Sequence, residues 1–275
     1  MSHGNRKDAR GAKEAAMTEK AAKRAAVLKP GAQLPKKAMV LCAGLGKRMR
    51  PLTDSKPKPL LTLRDRTLVD RILDRLVEAG VGEAVVNLHY LGEQLEEQLS
   101  RRDDIKVVFS WEKEEVLETG GGAKQALPLL GEEPFFLING DVFWLNGLRP
   151  ALFRLAEKWD AEAMDLLLLL HPTAYAIGYN GPGDFMMDPL GRLLRRQERQ
   201  VSPFVFAGVQ IVKPEVFKDA PEGPFSMNMI FDRAQEAERL YGLRHDGEWF
   251  HLGTPPDLKH AEAKLHHLEF HTVQR

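Results

Sequence analysis

The stretch Ala38-Met39-Val40-Leu41-Cys42-Ala43 leads directly into Gly44-Leu45-Gly46-Lys47-Arg48-Met49-Arg50-Pro51-Leu52-Thr53. An uncharged apolar run of this length predicts a buried strand. The two glycines that follow let main-chain N–H groups approach an anion with no Cβ in the way. Lys47, Arg48 and Arg50 bring cations to the same turn, and a guanidinium grips two oxygens at once. Strand, glycine loop and clustered cations together suit a polyphosphate. Two common phosphate motifs are excluded. A Walker loop needs Ser or Thr after its Gly-Lys, whereas Arg48 follows Gly46-Lys47, and it needs an earlier glycine that is missing here. A dinucleotide fingerprint would place its third glycine where Met49 stands.

Outward from this loop the pattern alternates. Leu68, Val69, Ile72, Leu73, Leu76 and Val77 recur at a helical period, and Gly80 stops the helix. Strands are predicted at 83–88, 106–111, 135–138 and 165–170, with helices at 92–101, 122–130 and 148–159 between them. The leucines at 166–170 suit a strand buried on both faces. After about residue 178 the pattern turns more β-like, with strands at 184–187, 192–195 and 204–212 and helices at 228–238 and 256–268. This order predicts an α/β fold: a Rossmann-like mixed, mostly parallel sheet with helices on both faces.

The 39 Lys+Arg balance 39 Asp+Glu over 275 residues, which argues against a nucleic-acid partner. The balance hides an asymmetry. Residues 1–37 carry an excess of Lys and Arg and few aliphatic core formers, which predicts a disordered or loosely helical basic tail. The folded domain is expected at 38–270. No apolar run approaches the roughly 18 residues needed to cross a bilayer, so no membrane partner is expected. The single cysteine, Cys42, excludes an intramolecular disulfide and suits a reducing compartment. The Ala-rich N-terminal segment lacks the apolar core of a secretory signal, and a cytoplasmic location is expected.

Two further segments carry chemistry. Lys56-Pro57-Lys58-Pro59 sets a cation between two prolines, whose fixed φ presents Lys58 on a stiff track. Asn139-Gly140-Asp141 follows a predicted buried strand, where α/β proteins place ligands; it is a turn by composition, and Asp141 is also a carboxylate suited to Mg²⁺. The late histidines 260, 266, 267 and 271 lack zinc spacing, and no nucleophile–base motif is legible.

Residues 41–53 followed by Lys58-Pro59 resemble the sugar-nucleotide pyrophosphorylase (nucleotidyltransferase) family, whose signature is an AGxGxRMxPLT loop and a later PKPL. The resemblance continues, in family order, at Glu118-Thr119-Gly120-Gly121-Gly122, Asn139-Gly140-Asp141, Gly183-Asp184-Phe185, Phe225-Ser226-Met227-Asn228 and Gly253-Thr254-Pro255. It covers about residues 38–265 and implies a nucleotide-diphospho-sugar transferase fold. The ETGGG, GDF and FSxN segments resemble members that act on N-acetylmuramate 1-phosphate and UTP in cell-wall recycling. Mannose-1-phosphate guanylyltransferases share much of the pattern, and a non-catalytic subunit that senses nucleotide or sugar phosphate is the alternative of another class.

The resemblance implies that a sugar 1-phosphate oxygen attacks the α-phosphorus of a nucleoside triphosphate and that pyrophosphate leaves. Arg48 would then neutralise the triphosphate, and Lys58 would bridge the α-phosphate and the incoming sugar phosphate. Leu41, Ala43, Gly44, Leu45, Gly46, Lys47, Glu118, Gly120 and Gly121 would hold the nucleotide. Asn139, Gly183, Asp184 and Asn228 would hold the sugar phosphate, with the glycine-dense 178–183 as a mobile lid. Asp141 would bind Mg²⁺. His251 stands where many members carry a second metal-binding Asp. Imidazole suits softer metals, so His251 leaves three outcomes open: Mg²⁺ on Asp141 and phosphates alone, Mn²⁺ instead, or a role for His251 behind the metal ligands.

Overall fold

In the computed structural model, residues 28–29 and 31–273 are described, the last six as helical backbone only. The first strand, β1 (Lys37–Leu41), is followed by a short hairpin, β2 (Thr62–Leu63) and β3 (Arg66–Thr67), and by α1 (Leu68–Ala79). Thr67 caps α1 by accepting from the Asp70 amide, and Gly80 closes it in the left-handed conformation at φ 91°. Then come β4 (Glu83–Leu88), α2 (Gly92–Leu99), β5 (Lys106–Trp111), α3 (Glu118–Leu130) and β6 (Phe135–Asn139). The second half holds β7 (Phe143–Trp144), α4 (Ala151–Lys158), β8 (Leu166–Pro172), β9 (Phe185–Met187), β10 (Leu193–Arg195) and β11 (Phe204–Val212). It ends with α5 (Met227–Glu236), β12 (Leu240–Arg244), β13 (Trp249–Phe250) and α6 (Pro255–Val273).

The main sheet runs β10-β9-β11-β6-β1-β4-β5, with β8 pairing both β11 and β12. β6, β1, β4 and β5 are mutually parallel, and β11 pairs antiparallel with β6. The sheet is therefore mixed, as the alternating pattern predicts. Successive β1 side chains point to opposite faces. Ala38 and Val40 join one core with Ile72 and Leu76 of α1, Leu95 of α2 and Leu152 of α4. Met39 joins the other with Ala123 of α3 and Ile230 of α5. The five leucines 166–170 are fully buried, as expected of a strand covered on both faces. Among the described residues no helix is long and apolar enough to cross a membrane.

Two expectations shift. Most of the predicted basic tail lies outside the described residues. Its last part does not behave as a tail: Leu34 packs on the core, Pro35 is buried, and the Lys36 carbonyl accepts from the Gly82 amide. α3 begins at Glu118 rather than at 122, because tertiary packing overrides the low helix propensity of three consecutive glycines.

The site follows from topology. From β1 the chain proceeds through α1 to β4 on one side, while β6 lies on the other. The loops leaving β1 and β6 thus diverge at the carboxyl ends of the parallel strands. That crevice is where open α/β sheets bind ligands.

Candidate active site

At the carboxyl end of β1 lies a cavity of about 500 Å³. Its floor is the turn after β1. Gly46 sits at φ 61°, and a Cβ there would approach Thr53 Cγ2 to 3.1 Å and Lys58 Cβ to 3.3 Å. Both the backbone conformation and the room demand glycine. The buried Thr53 hydroxyl donates to the Gly46 carbonyl at 2.9 Å and closes the loop. Lys47–Met49 then form a single 3-10 turn anchored by buried Met49. That anchor leaves Lys47 and Arg48 exposed at the cavity, with no ion-pair partner among the described residues.

Lys58 reaches the same cavity from a second 3-10 turn, Lys58–Leu60, preceded by Pro57. It is only 8% exposed, and its Nζ donates to Asp141 Oδ2 at 2.6 Å. Asp141 arrives from β6. The Gly140 amide donates to the Leu41 carbonyl at 2.8 Å, and a Cβ at Gly140 would lie 2.6 Å from Cys42 Sγ. The central glycine therefore lets the β6 loop run flush against the end of β1, which sets the carboxylate opposite Lys58. Arg48, Lys58 and Asp141 all line one cavity, as the motif order implied.

Two short strands hold the far wall. β7 pairs antiparallel with β13, Phe143 opposite Phe250 and Trp144 opposite Trp249. This ribbon carries the chain from Asp141 on one strand and brings Gly253 to the cavity on the other. His251 sits behind that wall. Its ring lies 5.7 Å from Tyr179 and 6.1 Å from Trp249, with Nε2 packed where a Cβ of Gly253 would be. Burial holds its pKa below the usual imidazole value, and the nearby Arg48 and Lys58 charges lower it further. Among the described residues no group of three or more His, Cys, Asp or Glu is arranged to hold a metal. Among the described residues Asp141 and Glu118 are the carboxylates that line the cavity, and Asp141, with Oδ2 on Lys58, is a hard oxygen donor of the kind Mg²⁺ takes.

The opposite lip is the start of α3. Glu118 and Thr119 line the cavity, and Glu118 adopts φ 59°, a left-handed conformation that costs a non-glycine residue about 1–2 kcal/mol. The glycines that follow are placed differently from the expectation. Gly120 and Gly121 do not line the cavity; both donate their amides to the Phe225 carbonyl, at 2.8 and 3.1 Å. A Cβ would strike the Phe225 ring from Gly120 and the Gly223 carbonyl from Gly121. Their small size serves close packing of α3 against the 223–225 loop.

Of the other residues singled out, Leu41, Ala43, Gly44, Gly46, Lys47 and Asn139 also line the cavity. Leu45, Gly183, Asp184, Asn228 and His251 do not. Gly183 and Asp184 lie against β11. The Asp184 amide donates to the Phe204 carbonyl, and its Oδ2 accepts from the Phe206 amide at 2.8 Å. Burial raises the Asp184 pKa, and that amide opposes the rise. Asn228 is exposed in the first turn of α5. Its neighbour Ser226, which sequence reading did not single out, lines the cavity and caps α5 by accepting from the Asn228 amide. Thr119, inside the Glu118–Gly122 motif but not singled out there, also lines the cavity, as does Asn87, which no contiguous motif signals. Among the described residues no histidine lines the cavity, and burial, helped by the Asp141 charge, pushes the Cys42 thiol pKa well up, so none of them presents an activated nucleophile to the space.

Comparison with known proteins agrees with this geometry. The family model described as Nucleotidyl transferase matches residues 37–267. The N-acetylmuramate alpha-1-phosphate uridylyltransferase of Caulobacter vibrioides is 42% identical over 237 residues, covering 85% of this chain and 98% of the relative. Its counterpart from Neisseria meningitidis serogroup B is 36% identical, covering 82% and 97%. A mannose-1-phosphate guanylyltransferase catalytic subunit beta from Drosophila melanogaster is 26% identical, over 81% of this chain and 60% of the relative. Among solved structures, a UDP-glucose pyrophosphorylase complexed with UDP-glucose superposes with a TM-score of 0.68 at 16% identity, covering 84% and 98%. An inositol-1-phosphate CTP transferase from T. maritima gives 0.69 at 18%, covering 84% and 96%.

Proposed function

The chain belongs to the nucleotidyl transferase family, and on that premise we propose that it joins UTP to N-acetylmuramate 1-phosphate, giving a UDP-sugar and pyrophosphate. The observation that carries the reading is the convergence of Arg48, Lys58 and Asp141 on one cavity. A sugar phosphate is already an anion, so it needs no general base. What it needs is alignment with the α-phosphorus and relief of phosphate–phosphate repulsion. In this reading the glycine turn and Lys47 receive the triphosphate, Arg48 neutralises the departing pyrophosphate, and Lys58 holds the two reacting phosphates together. Asp141 and the substrate phosphates would hold Mg²⁺, which supplies charge neutralisation at the α-phosphate. With its ring against Tyr179 and Trp249, His251 is assigned a supporting place behind the wall rather than a place on the metal.

The sugar choice rests on the two uridylyltransferase relatives, which are matched over nearly their whole length. A panel of nucleoside triphosphates against sugar 1-phosphates, read by pyrophosphate release, tests it. UTP with N-acetylmuramate 1-phosphate is expected to be the fastest pair. Faster release from GTP with mannose 1-phosphate would replace this reading with a guanylyltransferase, and nucleotide binding without release would leave a sensor.

Glu118 gives a second test. A strained, exposed side chain at the cavity lip is retained for what its carboxylate contacts, and we assign it to the nucleotide. Glu118→Gly is expected to stabilise the fold by about 1 kcal/mol through relief of the left-handed conformation. The same change should raise the KM for the nucleotide severalfold. A thermal melt and a saturation series measure both, and an unchanged KM removes Glu118 from the nucleotide contacts.

A further inference from the structure

Beneath the cavity, three elements are tied by a chain of buried hydrogen bonds. The Cys42 amide, at the end of β1, donates to Asn87 Oδ1 on β4 at 2.6 Å. Asn87 Nδ2 donates to Glu112 Oε1 at 2.6 Å, and Glu112 Oε2 accepts from the Leu117 amide at 2.8 Å, just before α3. Asn87 and Glu112 are each 2% exposed. The polarity is fixed from both ends. A backbone N–H only donates, so Cys42 forces the Asn87 oxygen to face it, and the Asn87 amide nitrogen must then face Glu112. Leu117 likewise demands an acceptor. Both Glu112 oxygens are therefore acceptors.

Among the described residues no lysine or arginine pairs with Glu112. An unpaired buried carboxylate is costly unless donors surround it, so its retention calls for a reason. Its partners are the two lips of the cavity: the turn at Leu41, Cys42 and Ala43 and the turn before Glu118 and Thr119. The third glycine of the ETGGG segment belongs to the same device. A Cβ at Gly122 would lie 2.6 Å from Glu112 Oε1 and 2.8 Å from Asn87 Nδ2, so the pair fills the space that a side chain would take.

We infer that Asn87 and Glu112 form a positioning pair that sets the spacing between the two walls holding the nucleotide, and so governs nucleotide affinity apart from the sugar phosphate. This rests on assigning the cavity to a nucleotide but not on which base or sugar is used. Glu112 does not line the cavity and Asn87 does, but the role assigned to both is positioning through the main chain they hold.

An exchange of polarity tests the pair. In Glu112→Gln the amide satisfies one donor and turns its own N–H toward the other. In Asn87→Asp two carboxylates meet at hydrogen-bond distance and repel. In the double exchange, Asp at 87 accepts from Cys42, Gln at 112 donates to it, and the Gln carbonyl accepts from Leu117, so every bond is remade with one buried carboxylate as before. Each single variant is expected to raise the KM for the nucleotide that the wild type turns over by about tenfold, the scale of one buried charge-assisted hydrogen bond. The KM for the sugar phosphate should stay within about twofold, and the double variant should return the nucleotide KM to within about threefold, on the same scale. Cys42, the only cysteine, supplies a readout independent of turnover. Its rate of labelling by a thiol reagent should rise in the singles and fall back in the double. Unchanged labelling and KM in folded single variants overturn the inference, as does a double variant no better than the singles. Labelling that moves and recovers while the nucleotide KM never changes overturns it too, and shows that the cavity assignment itself is at fault.

Discussion

Asp141→Asn is expected to lower kcat by about a thousandfold at saturating substrates. The carboxylate has two duties in this cavity. On the proposed reading it would hold Mg²⁺, and it pairs with Lys58 Nζ at 2.6 Å. An amide of the same shape keeps the turn intact, since the Gly140 amide still bonds the Leu41 carbonyl, but it offers the metal no charge. It also leaves a nearly buried ammonium facing a neutral group. The stability loss is expected to be small, about 1 kcal/mol, because the Asp141 side chain is 40% exposed and solvent screens the pair. The two quantities separate the roles. A variant that melts near the wild-type temperature yet has lost turnover supports a metal and charge role. A folded variant that keeps a tenth of the turnover removes Asp141 from the reacting centre.

Lys58→Ala is expected to lower kcat by about a hundredfold or more. Placement is what gives this lysine its effect. A lysine 8% exposed, held by flanking prolines and aimed into a cavity, has few rotamers left to lose when phosphates bind. Its charge is thus already oriented where two phosphates would repel each other. Without substrate that charge is held by Asp141; Asp141 would be the residue to hold a metal, and Lys58 would then turn its ammonium to phosphate. Lys58→Ala should therefore reduce kcat more than it raises KM, and Lys58→Arg should recover only part, because the Lys58 Cβ lies close to Gly46 and the larger guanidinium must fit the same turn. Turnover of Lys58→Ala near the wild-type value would take Lys58 out of the mechanism.

The parts of the site legible in the sequence are those whose cause is local. The loop 44–53, the Lys58 turn and Asn139-Gly140-Asp141 are contiguous motifs, and proline, glycine and charge at short spacing specify their shape before any tertiary contact forms. The alternation of apolar runs with helical periods specified the mixed sheet in the same way. Thr119 and Ser226 lie inside quoted motifs, but the sequence reading takes their neighbours Glu118 and Asn228 as the contacts, because a motif does not say which of its side chains faces a cavity. Asn87 and Glu112 were missed because each stands alone on its element, and only packing brings them together. A signal was present: Asn87 interrupts the apolar run of β4, and Glu112 directly follows β5, so each is a polar group at a buried position. Gly120 and Gly121 show the converse. A glycine announces that something must come close but not what, and at Gly120 and Gly121 the space a Cβ would take is filled by Phe225 and Gly223. The ribbon of β7 and β13 escapes sequence reading because two-residue strands carry no period.

The central claim is direct attack of a sugar phosphate on the α-phosphorus of a nucleotide in this one cavity, with no nucleotidyl group passing through a side chain. Exchange of radiolabelled pyrophosphate into UTP measures it. Exchange is expected when N-acetylmuramate 1-phosphate and Mg²⁺ are present, and none when the sugar phosphate is withheld. Exchange from UTP and pyrophosphate alone would require a covalent nucleotidyl-enzyme and would contradict it.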